Sequence, residues 1–176
     1  MEFYEEKVPE IPPSKKYDII SNGKSFRDFQ LLEKGVSSLG LKTLIIGKED
    51  SDSKFIEYKV KADSVENVRL CSEAKAMCIA INSQNNGICG ITSLNDALAF
   101  EIPVLISDNA RLGFDVEQIG IGLVYKAGDL QSFEEKLKIL ASGAFISKTK
   151  SNIRKFRQEN SYKEFSEFIA KIICEV

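Results

Sequence analysis

From Tyr17 onward the chain alternates two patterns: short apolar runs rich in β-branched residues, and longer stretches whose apolar positions recur every three or four residues. The short runs predict strands over Tyr17–Ser21, Lys42–Gly47, Phe55–Val60, Ala76–Ile81, Pro103–Ser107 and Gly122–Tyr125. Phe29, Leu32, Val36 and Leu39 fall at helical spacing with Gly40 behind them, which predicts a helix over 27–39 closed by a glycine C-cap. Leu130, Phe133, Leu137 and Leu140 form a similar stripe behind Asp129, a residue type suited to an N-cap. A weaker helix is predicted over 64–74, another beginning near Thr92, and a short one after Asp115. Tyr162, Phe165, Phe168, Ile169, Ile172 and Ile173 make an amphipathic helix of the stretch 161–176. Residues 1–16 carry Pro9, Pro12 and Pro13 and no apolar period, so they read as a linker or lead-in, leaving 17–176 as the domain.

Strand, helix, strand in succession implies parallel strands joined by right-handed crossovers. The expected fold is therefore α/β, a Rossmann-like open parallel sheet of about six strands with helices on both faces. Ligands of such sheets bind outside the carboxyl ends of the strands. Two predicted loops at that edge carry suitable chemistry, 21–28 and 82–96.

Composition narrows the options. The chain has 176 residues, the size of one domain. Its 24 Lys and Arg against 26 Asp and Glu leave a charge of −2, which removes the broad positive field of a nucleic-acid binder. There is no histidine, so imidazole serves neither as base nor as metal ligand, and no metal site is expected. Cys71, Cys78, Cys89 and Cys174 lack zinc-site spacing and read as reduced, mostly buried thiols. No run is long and apolar enough to span a bilayer, and the chain opens with acids, not with a basic and apolar leader; a cytoplasmic location is expected.

In the second loop, Gly90 would let the backbone come close to an anion, and the N–H groups of Gly90, Ile91, Thr92 and Ser93 at a helix start, with two hydroxyls, suit a phosphate or diphosphate. Equally, Thr92 could be an ordinary N-cap and the glycines turn residues. Asp96, one turn in, could accept hydrogen bonds from the vicinal diol of a ribose, or simply complement the helix dipole. In the first loop Gly23 is followed by Lys24 and Arg27, cations able to stabilise a departing diphosphate; solvated surface charge is the competing reading. Neither the P-loop pattern nor Gly-x-Gly-x-x-Gly is present. Lys148, Lys150, Arg154, Lys155 and Arg157 form a basic run that reads as a solvated helix face, or as a contact for an anionic membrane or acidic partner.

Taken together, these segments resemble the C-terminal, donor-binding domain of GT-B glycosyltransferases, bacterial enzymes of the capsule and lipopolysaccharide type above all. The resemblance is carried by Gly87-Ile88-Cys89-Gly90-Ile91-Thr92-Ser93-Leu94-Asn95-Asp96-Ala97-Leu98-Ala99 with Pro103-Val104 and the run to Asp108, similar to the family's Gly-rich turn and "EALA-x-G-x-PV" stretch. Ser21-Asn22-Gly23-Lys24-Ser25-Phe26-Arg27-Asp28-Phe29 resembles its opening strand-glycine-cation element, and Gly120–Tyr125 through Asp129 its "G-x-G-hydrophobic" strand and "GD" helix start.

The resemblance implies a metal-independent hexosyltransferase with no cofactor and a UDP- or GDP-linked sugar donor. The diphosphate would lie on Gly23 and on Gly90 to Ser93, the ribose on Asp96, and the leaving charge on Lys24 and Arg27. The role would be cell-surface polysaccharide synthesis, at the inner membrane face if the basic run makes a peripheral contact. Asp96 matches the second acid of the family's Glu-x7-Glu pattern, but Ile88 stands at the first, and Glu101 replaces the usual glycine before Pro103. Such enzymes carry acceptor site and base on an N-terminal domain. The resemblance thus implies that this domain, or a separate subunit supplying it, is the partner onto which 161–176 docks, and that the chain alone is inactive. The alternatives are a non-catalytic partner subunit with a vestigial nucleotide pocket, and an unrelated nucleotide-binding enzyme such as a sugar-nucleotide epimerase.

Overall fold

The computed structural model describes residues 14–48 and 53–160. Strands β1 (Tyr17–Asn22), β2 (Thr43–Ile46), β3 (Ile56–Lys59), β4 (Ala74–Ile79), β5 (Val104–Ser107) and β6 (Gly122–Tyr125) form one sheet in the order β3-β2-β1-β4-β5-β6. Every neighbouring pair is parallel, with Ile20 opposite Leu44 on one side of β1 and Met77 on the other. The chain winds outward from β1 to β3 and then returns to the other side of β1 at β4, so the crevice at the switch point opens beyond the carboxyl ends of β1 and β4.

Helices cover both faces, as expected for parallel strands that must bury both sides. On one face α1 (Phe29–Ser38) and α5 (Leu130–Leu140) close a core of Ile19, Leu32, Val36, Leu105, Phe133 and Leu137. The Phe133 ring meets Tyr125 edge-on at 4.9 Å and presses so closely on Gly35 of α1 that a methyl group there would lie 2.5 Å from it. The opposite core, with Ile20, Met77, Leu94, Ala97 and Ile106, lies under α2 (Ser64–Ser72), α3 (Ile91–Ala99), the short α4 (Val116–Ile119) and α6 (Gly143–Glu159).

Local chemistry sets the helix ends. Asp28, Asp63, Asp115 and Asp129 each accept a backbone N–H from the first turn of α1, α2, α4 and α5. Asp28 is thus the N-cap of α1, and the helix begins two residues later than its apolar spacing alone indicates. At its other end the C-cap is Leu39, and Gly40 beyond it takes the left-handed conformation, φ +64°. Strand β4 begins at Ala74, two residues earlier than predicted, and its ladder ends at Ile79. Beyond it Ala80 O accepts the Asp28 N–H at 2.9 Å, and Ile81 forms an antiparallel bridge with Arg27. The predicted helix over 161–176 and most of the lead-in fall outside the described residues. Among those residues no helix is long and apolar enough to cross a membrane.

The basic run lies on α6, and much of it is neutralised within the fold. Glu101, at the end of α3, takes a two-oxygen contact from Arg154 Nε at 2.9 Å and lies 3.7 Å from Arg157, while Lys155 faces Glu159. These guanidinium contacts hold the Glu101 carboxyl below its ordinary value, the hydrogen bond from Arg154 leading.

Candidate functional site

A cleft of about 540 Å³ opens at the switch point. Its walls are the 22–27 loop after β1, Gly47 after β2, the 60–62 segment after β3, Asn67 of α2, and the start of α3. All eight residues singled out from sequence, Gly23, Lys24, Arg27, Gly90, Ile91, Thr92, Ser93 and Asp96, line it.

Helix α3 begins at Ile91 with Gly90, not Thr92, as its N-cap, and no side chain caps it. The first intrahelical bond is Leu94 N–H to Gly90 O, so the amides of Ile91, Thr92 and Ser93 precede the helical ladder and concentrate the positive end of the dipole on the cleft. Gly90 has φ +89°, and a Cβ there would sit 2.7 Å from Ile79 Cγ2, so the position requires glycine on both counts.

Arg27 crosses to this helix start. Its Nη2 donates to Ser93 Oγ at 2.9 Å, its Nε to Asn22 O at 3.2 Å, and its Nη1 to Ser25 O at 3.2 Å. Gly23, at φ +102°, leaves the room this needs, because a Cβ would lie 2.6 Å from Nη2. The loop between them is pinned: the Asn82 N–H donates to Phe26 O at 2.8 Å, beside the Arg27–Ile81 bridge. That pinning holds Phe26 at φ +55°, with the residue 58% exposed.

Asp96 lies on the floor of the cleft, only 3% exposed. Its Oδ2 accepts from Asn22 Nδ2 at 2.7 Å and from Asn67 Nδ2 at 3.0 Å, while Asn22 Nδ2 also reaches Asn67 Oδ1 at 3.2 Å. The carboxylate therefore ties β1, α2 and α3 together. Asn22 Oδ1 is buried without a hydrogen-bond partner, an acceptor left over beside the carboxylate. Burial, aided by the Asp96 charge, pushes the nearby Cys71 thiol far up, so it stays protonated at neutral pH. Cys71, Cys78 and Cys89 are free cysteines.

Two features of the cleft escape sequence reading, the Asn22–Asn67 pairing and Lys61. Asn22 and Asn67 are 45 residues apart and become partners only when α2 packs beside α3. Lys61 adds a third cation to the walls from the far side of β2. Ile88, in place of an acid, is 67% exposed at the rim. No group of three or more His, Cys, Asp or Glu side chains able to hold a metal ion occurs among the described residues.

The arrangement defines a class: a doubly wound parallel sheet with an anion-receptive crevice at its switch point. Among solved structures, the chain is similar to sucrose-phosphate synthase from Thermosynechococcus elongatus (TM-score 0.67, 17% identity, 93% of this chain and 46% of that one). It is also similar to WaaG, a glycosyltransferase involved in lipopolysaccharide biosynthesis (0.63, 16%, 98% and 50%). The C-terminal domain of a glycosyl transferase group 1 family protein, LpcC, from Francisella tularensis matches over 89% of both chains, with TM-score 0.64 and 15% identity. The chain thus has the fold of the C-terminal domain of GT-B glycosyltransferases and spans about half the length of the first two structures. No protein-family model matches it, and no curated protein matches it significantly.

Proposed function

We propose that the cleft binds a nucleoside-diphosphate sugar without a metal ion, and that the chain is the donor-binding part of a glycosyltransferase. One observation carries this reading. The uncapped start of α3 and the Arg27 guanidinium, anchored on Ser93 Oγ and Asn22 O, converge on one point of the cleft. Fixed N–H dipoles and an anchored guanidinium charge are the groups that hold a diphosphate and stabilise the charge it gains as a leaving group. When the bond between the anomeric carbon and the phosphate oxygen breaks, its electron pair stays on that oxygen. Arg27, Lys24 and the Ile91 to Ser93 amides would meet the new charge, and the acceptor hydroxyl would form the new bond to carbon.

Uridine or guanosine is the expected nucleoside, and hexosyl transfer in cell-surface polysaccharide synthesis, in the cytoplasm, is the expected role. The acceptor site and base belong, on this reading, to an N-terminal domain or separate subunit. Calorimetric titration of UDP and GDP in the absence of divalent metal tests the donor site: binding of either, lost in Arg27→Ala, supports it, and no binding of any nucleotide at millimolar concentration overturns it.

Exposed Ile88, where the family pattern has an acid, favours a second reading, a non-catalytic subunit whose pocket no longer turns over donor. The two part on restoring the acid. If Ile88→Glu, assayed with its acceptor-binding partner, gains donor hydrolysis or transfer that wild type lacks, the pocket is vestigial.

A further inference from the structure

The turn that closes α3 has the hydrogen bonds of a Schellman motif: the Glu101 N–H donates to Leu98 O at 3.2 Å and the Ile102 N–H to Ala97 O at 3.0 Å. Its left-handed position, the usual place for glycine, is occupied by Glu101 at φ +53°. A side chain there is strained relative to glycine, and the ion pairs of its carboxylate offset that strain. Both partners lie on α6. Arg154 Nε donates to the two carboxylate oxygens at 2.9 Å, with Nη2 2.8 Å from Oε2. Arg157 Nη1 stands 3.7 Å from Oε1 and donates to Ala99 O, the last carbonyl of α3, at 3.4 Å.

Apolar burial holds α6 only weakly. Of its 17 residues just Thr149 and Ile153 are buried, and the Thr149 hydroxyl bonds back to Phe145 O and Ile146 O inside the same helix. Phe156 meets the exposed Phe114 at 5.5 Å, and Asn152 Nδ2 donates to Gly120 O at 3.1 Å. A docked helix ordinarily buries an apolar stripe along its whole length. Here ion pairs stand in for the later part of that stripe. The Arg154 side chain is 61% exposed, so salt screens its attraction to Glu101.

We infer that Glu101 is a latch that fastens α6 to the end of α3 by charge, so that the helix can leave the sheet while the sheet stays folded. The strap continues into residues 161–176, the stretch whose apolar positions suit docking elsewhere, and opening the latch frees that stretch to change place. The latch operates whether or not a nucleotide occupies the cleft. Once released, a helix of this length is marginal by itself, so its opening shows as loss of amide protection.

Hydrogen exchange of the 176-residue chain, read residue by residue by nuclear magnetic resonance, provides the test. In wild type, the amides of Ile153 to Arg157 should exchange by an opening that is insensitive to low urea, whereas those of Met77 and Ile106 in the sheet respond steeply. Glu101→Gly should speed exchange at 153–157 about tenfold. The sheet amides should stay close to their wild-type rates, because relief of the left-handed backbone offsets the lost ion pairs on global unfolding. Glu101→Gln, which keeps the side chain but not the charge, should speed 153–157 as well. Raising salt from about 0.05 to about 0.5 M should speed them in wild type and leave both variants nearly unchanged. Equal rates at 153–157 in wild type and Glu101→Gly overturn the latch, as does a wild-type rate indifferent to salt. Acceleration confined to Glu101→Gly also overturns it, since backbone freedom would then be the cause. If 153–157 follow the sheet amides at every urea concentration, the helix does not leave alone and the strap is refuted.

Discussion

Asn22, the last residue of β1, and Asp96, in the second turn of α3, are joined by a 2.7 Å hydrogen bond across the switch point of the sheet. Asn67 of α2 donates to the same oxygen, so a carboxylate that resemblance assigns to a ribose also holds three elements in register. The two roles separate by substitution. Asp96→Ala removes the shorter of the two hydrogen bonds made by the buried Asn22 amide, and the bond from Asn67, and is expected to lower stability by about 1–3 kcal/mol in urea unfolding. Asp96→Asn keeps an acceptor oxygen and should recover most of that loss. A drop in nucleotide affinity that persists in Asp96→Asn then reports direct ligand contact, and full recovery reports positioning alone.

Gly90→Ala introduces both a left-handed-backbone penalty and a contact with Ile79. The expected loss is about 2–4 kcal/mol, the sum of the two effects, with nucleotide binding weakened in any fraction that still folds. Thermal melts and UDP titration of the same sample check both parts.

Arg27→Lys keeps the charge but replaces a fork that reaches Ser93, Asn22 and Ser25 together with a single ammonium. UDP affinity is expected to fall about tenfold, whereas binding of the corresponding nucleoside should be nearly unchanged. Equal losses for UDP and uridine would remove the phosphate from this residue.

Glu101 has φ +53°, which accounts for the glycine usual at this point of the family pattern, and its acid is held by Arg154 and Arg157. Glu101→Ala should be less stable than Glu101→Gly by about 1 kcal/mol, because both lose the ion pairs and only alanine keeps the left-handed penalty. The pH dependence follows from the lowered carboxyl pKa. The folded state favours the ionised form, so this contribution is complete above the unfolded value of about 4.3 and is lost as pH falls through the lower folded value. The stability gap between wild type and Glu101→Gln, measured in urea, should therefore narrow below about pH 4.

The sheet was legible in the sequence because buried parallel strands read as apolar runs, and each predicted strand lies within two residues of an observed one. The exceptions have local causes. Lys75 looks like a break before β4, yet its ammonium reaches Asp18 and the strand runs through it. Helix α6 buries just Thr149 and Ile153, too sparse a stripe to mark its limits. The residues proposed to face a diphosphate could be read because their chemistry is local to two loops. The Asn22–Asp96–Asn67 clamp could not, since each amide looks like an ordinary turn or surface residue until packing removes water from it.

The bridge between Arg27 and Ile81 has a mechanical consequence. With Phe26 and Arg27 fastened to Ile81 and Asn82, the loops after β1 and β4 have no independent hinge. Both must travel as one rigid lip of the sheet. Closure over a ligand would then come as displacement of a whole body against this lip, and hydrogen exchange at Asp28 and Asn82 should be as slow with the cleft empty as with it filled.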